Sequence, residues 1–198
     1  MPLTDDTWTD ANFVAGALCL DFANTLSGRG QGKQKDRFTD EAALRAWLAA
    51  AGLPHPFGMG EQAFLTAREL RETVFAIFDA IRRGEQVAPA ELATLNRFLA
   101  GSALLHRIVP EGGGYAWHWD ASANALGAAL GRIAWSAADL LTTPKRLRIR
   151  QCNGENCAWL FIDETKNRSR VWCDMAVCGN RAKARRFGNR GRGLETEG

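Results

Sequence analysis

The sequence predicts an α+β protein in two parts. Residues 1–144 read as a mainly helical domain with one β-hairpin, residues 145–188 as a small four-cysteine unit, and residues 189–198 as a flexible tail. Three observations carry this reading. Apolar residues recur at spacings of three and four through most of the first part; two stretches between residues 104 and 119 alternate with period two instead; and four of the five cysteines fall within one 27-residue window.

The helices follow from their stripes and end signals. Asp40 to Ala51 puts Leu44, Trp47, Leu48 and Ala51 on one face, with Asp40 placed to cap it and Gly52 to end it. Glu61 to Arg83 continues through Ala63, Ala67, Leu70, Val74, Ile77, Phe78 and Ile81. Pro89 opens a third helix with Leu92, Leu95 and Leu99 inward, because proline costs least in a first turn. A fourth runs from Ser122 to Leu141, with Leu126, Leu130, Ile133, Ala137 and Leu140 aligned.

Between the third and fourth helices, Leu104 to Val109 and Tyr115 to Trp119 alternate like strands around a loose Pro110 to Gly114 loop. Tyr115, Trp117 and Trp119 then share one face and His118 the other. That aromatic row is either a lining for a small ligand, with Trp117 and His118 as candidates, or the sheet's packing surface. His106 and His118 are placed to meet across the hairpin.

The cysteines read Cys152-x4-Cys157, then fifteen residues, then Cys173-x4-Cys178. Two such pairs around a short spacer suit a tetrahedral site of four thiolates, and the ion favoured is Zn2+ in a structural role, since four protein ligands leave no open position. The alternative is a disulfide framework. The chain opens MPLTDDTWTD, acidic where a secretory segment is basic and then apolar, so a cytoplasmic, reducing location is expected and metal ligation favoured. No apolar stretch approaches the roughly 20 residues of a membrane span. Cys19, in an apolar run, reads as a small buried hydrophobe.

Pro144 marks the boundary between the parts. Beyond it, Arg146 to Arg150 and Trp159 to Ile162 read as two strands, with Cys152 and Cys157 on the turn between them, where Asn153 and Gly154 serve positive φ angles. Asp174 to Phe187 reads as a helix carrying Cys178. Hairpin plus helix around one ion is a treble-clef-like arrangement, and a division at Pro144 expects Cys173→Ser to unfold this unit while the N-terminal helices stay largely intact.

Charge divides the chain at the same place. Residues 1–144 carry 12 Lys/Arg against 16 Asp/Glu, whereas residues 145–198 carry 13 against 6. The basic excess sits on the metal unit and exceeds what four thiolates and a dication need, which points that unit toward an anionic partner.

Cys178-Gly179-Asn180-Arg181, followed by Ala182-Lys183-Ala184-Arg185-Arg186-Phe187 and preceded by Trp172-Cys173, resembles the signature of the bacterial CGNR zinc-finger proteins. Cys152, Cys157, the run Trp159 to Asp163 and Asn167 to Arg170 extend the likeness. Leu18-Cys19-Leu20-Asp21-Phe22-Ala23-Asn24-Thr25 is similar to the LDFxNT element that opens the family's partner domain, a helical domain of stress-induced transcription regulators. The resemblance implies a finger that binds double-stranded DNA and a larger domain that senses an effector. Val171 and Asp174 depart from the arginine and serine common in the family, which lowers the phosphate affinity expected.

Candidate DNA contacts are Arg168, Arg170, Arg181, Lys183, Arg185 and Arg186. Arg181 and Arg185 lie one turn apart on one helical face, with Lys183 on the other side. Arg181 has a second reading, as a donor to the adjacent thiolates. Asp21, Asn24 and Thr25 form a polar strip that either lines a ligand pocket or anchors a buried element. No phosphate-binding glycine loop, Ser/His/Asp order or paired carboxylates point to an enzyme, and Gly28-Arg-Gly-Gln-Gly32 lacks the strand and helix such a loop requires. The expected function is a one-component transcription regulator, with a small-molecule effector and a homodimer compatible with the pattern. The alternative is a zinc-stabilised protein-interaction or RNA-binding module without sequence readout.

Overall fold

The computed structural model describes residues 7–192. The helical part is built from α1 (Leu18–Ala23), α2 (Glu41–Ala50), α3 (Gly60–Arg83), α4 (Pro89–Ser102) and α5 (Ala125–Thr142). The end signals act as expected. Asp40 accepts a hydrogen bond from the Ala43 amide at 2.8 Å to cap α2, Pro89 begins α4, and Asn124 caps α5 through the Gly127 amide at 2.7 Å. The long α3 is central, packing against α1, α2, α4 and α5. Its buried stripe of Ala67, Leu70, Val74, Ile77 and Phe78 meets Leu130, Ile133 and Ala137 of α5. At one end Trp47 is enclosed by Trp8, Phe13, Phe22 and Phe38, with ring centroids 5.1–6.5 Å away.

All strands pair in two-stranded antiparallel hairpins, so the fold is α+β and mainly helical. The first hairpin, β1 (Leu26–Ser27) with β2 (Lys35–Asp36), has no period-two signal in its two-residue strands. Its loop begins at Gly28, where a Cβ would stand 2.0 Å from the Lys33 carbonyl oxygen. Asp36 meets the fully buried Arg71 of α3 in a bidentate pair, 2.5 and 2.8 Å. Burial pushes the Asp36 carboxyl up, but the hydrogen bonds and charge of Arg71 outweigh it and hold it below its ordinary value.

The aromatic hairpin is β3 (His106–Glu111) with β4 (Gly114–Trp119). It turns tightly through Gly112 and Gly113, both at positive φ, instead of through a loose loop, and Pro110 pairs with Tyr115 at an edge that needs no amide donor. His106 pairs with Trp119 and His118 with Arg107, so the two histidines lie on opposite faces and do not meet. His118 accordingly stands apart from the cavity that Trp117 lines, a correction that follows from the register.

The C-terminal unit departs from the expected strands. Pro144–Arg148 is a 3-10 helix, leaving β5 (Ile149–Gln151) to pair with β6 (Leu160–Ile162). Met175–Gly179 forms a π-helical turn, and α6 (Asn180–Arg192) continues from it, so residues 189–192 are helical and the rest of the expected tail lies outside the described residues. Leu160, Phe161 and Ile162 are buried in the same core as Phe22, Leu70 and Ile77.

Candidate metal centre and its surroundings

Cys152 and Cys157 lie within the β5–β6 connection, Cys173 precedes the π-helical turn, and Cys178 lies inside it. The four sulfurs all lie within 4.8 Å of one another. Cys173 Sγ is 3.7 Å from Cys157 Sγ and 3.6 Å from Cys178 Sγ, close to the ~3.8 Å edge of a tetrahedron with Zn–S bonds of about 2.3 Å. Those separations are far beyond the ~2.05 Å of a disulfide, and all five cysteines are free thiols. The site is largely sealed, since Cys152, Cys173 and Cys178 are buried and only Cys157 is partly exposed.

The donor set asks for a cation. Hydrogen bonds from Cys157, Cys173 and Cys178 hold Cys152 far below the ordinary thiol range, while the hydrogen bond to Cys152 pushes Cys157 and Cys173 up. Four thiolates this close repel one another, and a dication among them removes that conflict. The backbone supplies further support. The Gly154 amide donates to Cys152 Sγ at 3.3 Å, and Asp174 caps the π-helical turn through the Val177 amide at 2.8 Å. Asp174 thus does what a serine does at an N-cap.

Gly154 is needed for a reason other than the expected positive φ. The left-handed residues here are Asn156 and Ala158, while a Cβ on Gly154 would stand 2.9 Å from Cys178 Sγ and 3.3 Å from Cys152 Sγ. Gly179 is similarly crowded, its Cβ position being 2.3 Å from Met175 Sδ.

The finger is held by the polar strip at α1. Asn24 treats β6 as a strand neighbour: its Nδ2 donates to the Leu160 carbonyl at 2.8 Å and its Oδ1 accepts from the Leu160 amide at 2.9 Å. Asp21 accepts from the Ala15 amide at 2.9 Å, and the Ala15 carbonyl accepts from the Ile162 amide at 2.8 Å. Thr25 donates to the Phe22 carbonyl and lies 3.5 Å from Arg71 Nη1. All three side chains are buried and bonded within the protein: Asn24 anchors the finger directly, Asp21 supports it through Ala15, and Thr25 bonds within the helical part. The Gly28 amide adds a bond to the Cys157 carbonyl at 2.8 Å.

Family comparison fits this geometry. Residues 16–144 match the ABATE family, described as "Putative stress-induced transcription regulator", and residues 148–191 match the CGNR zinc finger. The chain belongs to the ABATE family. No curated protein matches it. Four cysteines placed for one ion within a CGNR finger make the implied metal a structural Zn2+. No helix of the ABATE domain or the finger, among the described residues, is long and apolar enough to cross a membrane.

The basic residues of the CGNR finger that were expected at DNA separate into three groups. Arg181, Lys183, Arg185 and Arg186 are exposed on α6, which leans mainly on the π-helical turn. Arg185 ion-pairs with the exposed Glu155. Arg181 borders a cavity of about 390 Å³ beside Cys157, Cys173 and Cys178, without a hydrogen bond to any sulfur. Arg170, expected at DNA, is turned inward: it donates to the Trp172 carbonyl at 3.0 Å and to that of Cys173, and lies 4.5 Å over the Phe161 ring. Arg168 is exposed in a loop at φ +49°.

In the ABATE domain, Trp117 lines a cavity of about 420 Å³ with Trp119, Trp135 and His106. His106 Nδ1 donates to the Ser102 carbonyl at 3.0 Å, and its ring lies 4.7–5.1 Å from the three indoles. His106 and Trp135 carry no local signal of this role. They are 29 positions apart and meet only because the hairpin folds over α5.

Proposed function

We propose that the chain is a one-component DNA-binding transcription regulator of the stress-responsive kind and not an enzyme, acting in the cytoplasm, with α6 as the element that enters duplex DNA. The observation that carries this reading is α6 itself. It holds Arg181, Lys183, Arg185 and Arg186 exposed, contains no acidic residue between Asn180 and Arg192, and stands on a turn fixed by two metal ligands. A helix charged on several sides, with Arg181, Lys183, Arg185 and Arg186 all exposed, is suited to a groove, where one edge meets bases and the flanks meet phosphates. The Arg185–Glu155 pair is no obstacle, because an exposed ion pair is worth under about 1 kcal/mol and a phosphate can replace the carboxylate.

The cavity beneath Trp117, Trp119 and Trp135 suits a small-molecule effector, and a homodimer would place two copies of α6 on successive half-sites. The test is binding of the zinc-loaded protein to fragments around its own gene, at several salt concentrations and against competitor DNA. A discrete fragment that survives competition supports the regulator. Uniformly weak, salt-sensitive binding to every fragment would leave the finger as a protein-interaction or RNA-binding module.

A further inference from the structure

The guanidinium groups of Arg150, on β5, and Arg168, in the loop after β6, make no hydrogen bond or ion pair among the described residues. Both face a cavity of about 410 Å³ that is also lined by Arg82, from the last turn of α3, and by the inward-turned Arg170. Asn153 and Ser169 add polar groups, and no carboxylate lines the space. Two carboxylates stand nearby. Asp79 pairs with Arg82 at 2.5 Å, and Asp163, already bonded by Thr165 and the Arg170 amide, lies in the field of Arg150. Four guanidinium charges against two carboxylates leave an excess that matches a dianion.

The chemistry narrows the ligand further. Guanidinium groups present planar forks that fit phosphoryl oxygens, and their attraction strengthens where a recess displaces water. The walls are concave, which favours a compact anion over the extended backbone of a duplex, and the volume exceeds that of a bare phosphate. Val171 supplies an apolar wall for the remainder. Arg82 comes from the helical domain and the other three arginines from the finger, so one bound anion would bridge the two.

We propose that this cleft binds a small phosphorylated ligand, its phosphate dianion held chiefly by Arg150 and Arg168 at the seam between α3 and the finger. The proposal does not depend on DNA binding. The test is calorimetric titration of the full-length, zinc-loaded protein with inorganic phosphate and pyrophosphate, repeated for Arg150→Gln, Arg168→Gln, Arg168→Lys and, as a control on α6, Arg186→Gln. Zinc content and melting temperature of each variant are checked alongside.

The expected result is saturable binding of one anion, weakened about tenfold or more by either glutamine variant, by less in Arg168→Lys, and unchanged in Arg186→Gln. Absence of saturable binding would overturn the proposal, as would binding that the Arg150 and Arg168 variants leave intact. Duplex-DNA affinity, measured on the same variants, separates the two sources of phosphate. Parallel loss of DNA affinity with phosphate competing for the site would assign these arginines to the DNA backbone and overturn the small-ligand reading. DNA affinity unchanged beside lost phosphate binding supports it.

Discussion

A methyl group at Gly154 would press on Cys178 Sγ, Cys157 Cβ and Cys152 Sγ, groups that cannot retreat without opening the tetrahedron. Gly154→Ala is expected to weaken zinc binding about 10–100-fold, the range for disturbing a metal site's immediate support, as read by competition with a chromogenic chelator. Asp21 makes a different prediction. Burial pushes its carboxyl up to about 7, against the Ala15 and Val14 amides that pull it down. The folded chain therefore keeps a proton that the unfolded chain releases near pH 4. This contribution is complete below about pH 4 and is lost as pH rises through about 7, by up to about 1.4 kcal/mol per pH unit. Asp21→Asn keeps an acceptor for Ala15 and removes the titration, so its stability relative to wild type should rise between pH 5 and pH 8 in denaturant melts. A difference that stays flat with pH would mean that the folded protein carries Asp21 ionised.

Among the elements, β6 is held on one side by the side chain of Asn24. Removing that amide leaves the buried Leu160 N–H and C=O unsatisfied, so Asn24→Ala should cost about 2–4 kcal/mol in chemical denaturation. A cost below about 0.5 kcal/mol would show that water or backbone movement replaces the bonds. Helix α6 makes the converse prediction, of lost function without lost stability. Lys183→Ala and Arg186→Ala should each lower the slope of log binding constant against log salt by about 1 and leave zinc content unchanged. An unaltered slope would remove α6 as the DNA-contacting element.

Across the whole molecule, the finger is not merely appended. Leu160, Phe161 and Ile162 belong to the core that holds Phe22 and Leu70, and Ala15, Gly28 and Asn24 bond to the finger's backbone. This shared core changes the expectation for Cys173→Ser from unfolding of the finger alone to destabilisation of the entire chain. Stripping the metal or making that substitution should lower a single cooperative transition, by about 5–10 °C for a loss of 2–3 kcal/mol, in scanning calorimetry. Two resolved transitions, with the helical one unmoved, would restore the picture of independent units. The same coupling would give a ligand bound at the seam a physical route to α6.

The sequence by itself determined the helices of the first part, because period, cap and proline signals are local, and it pointed to the metal ligands, because two closely spaced cysteine pairs around a short spacer suit a four-thiolate site. It could not determine what the polar strip at Asp21, Asn24 and Thr25 bonds to, since Leu160 lies 136 positions from Asn24 and shares no pattern with it. Nor could it divide the arginines. Arg168 and Arg170 read alike in the chain, yet one is exposed while the other donates to internal carbonyls. Tertiary structure decided those roles because a long polar side chain takes whatever partner the packed backbone presents. The same holds for Gly154, whose need for a bare Cα arises from three cysteine side chains that only the folded finger brings together.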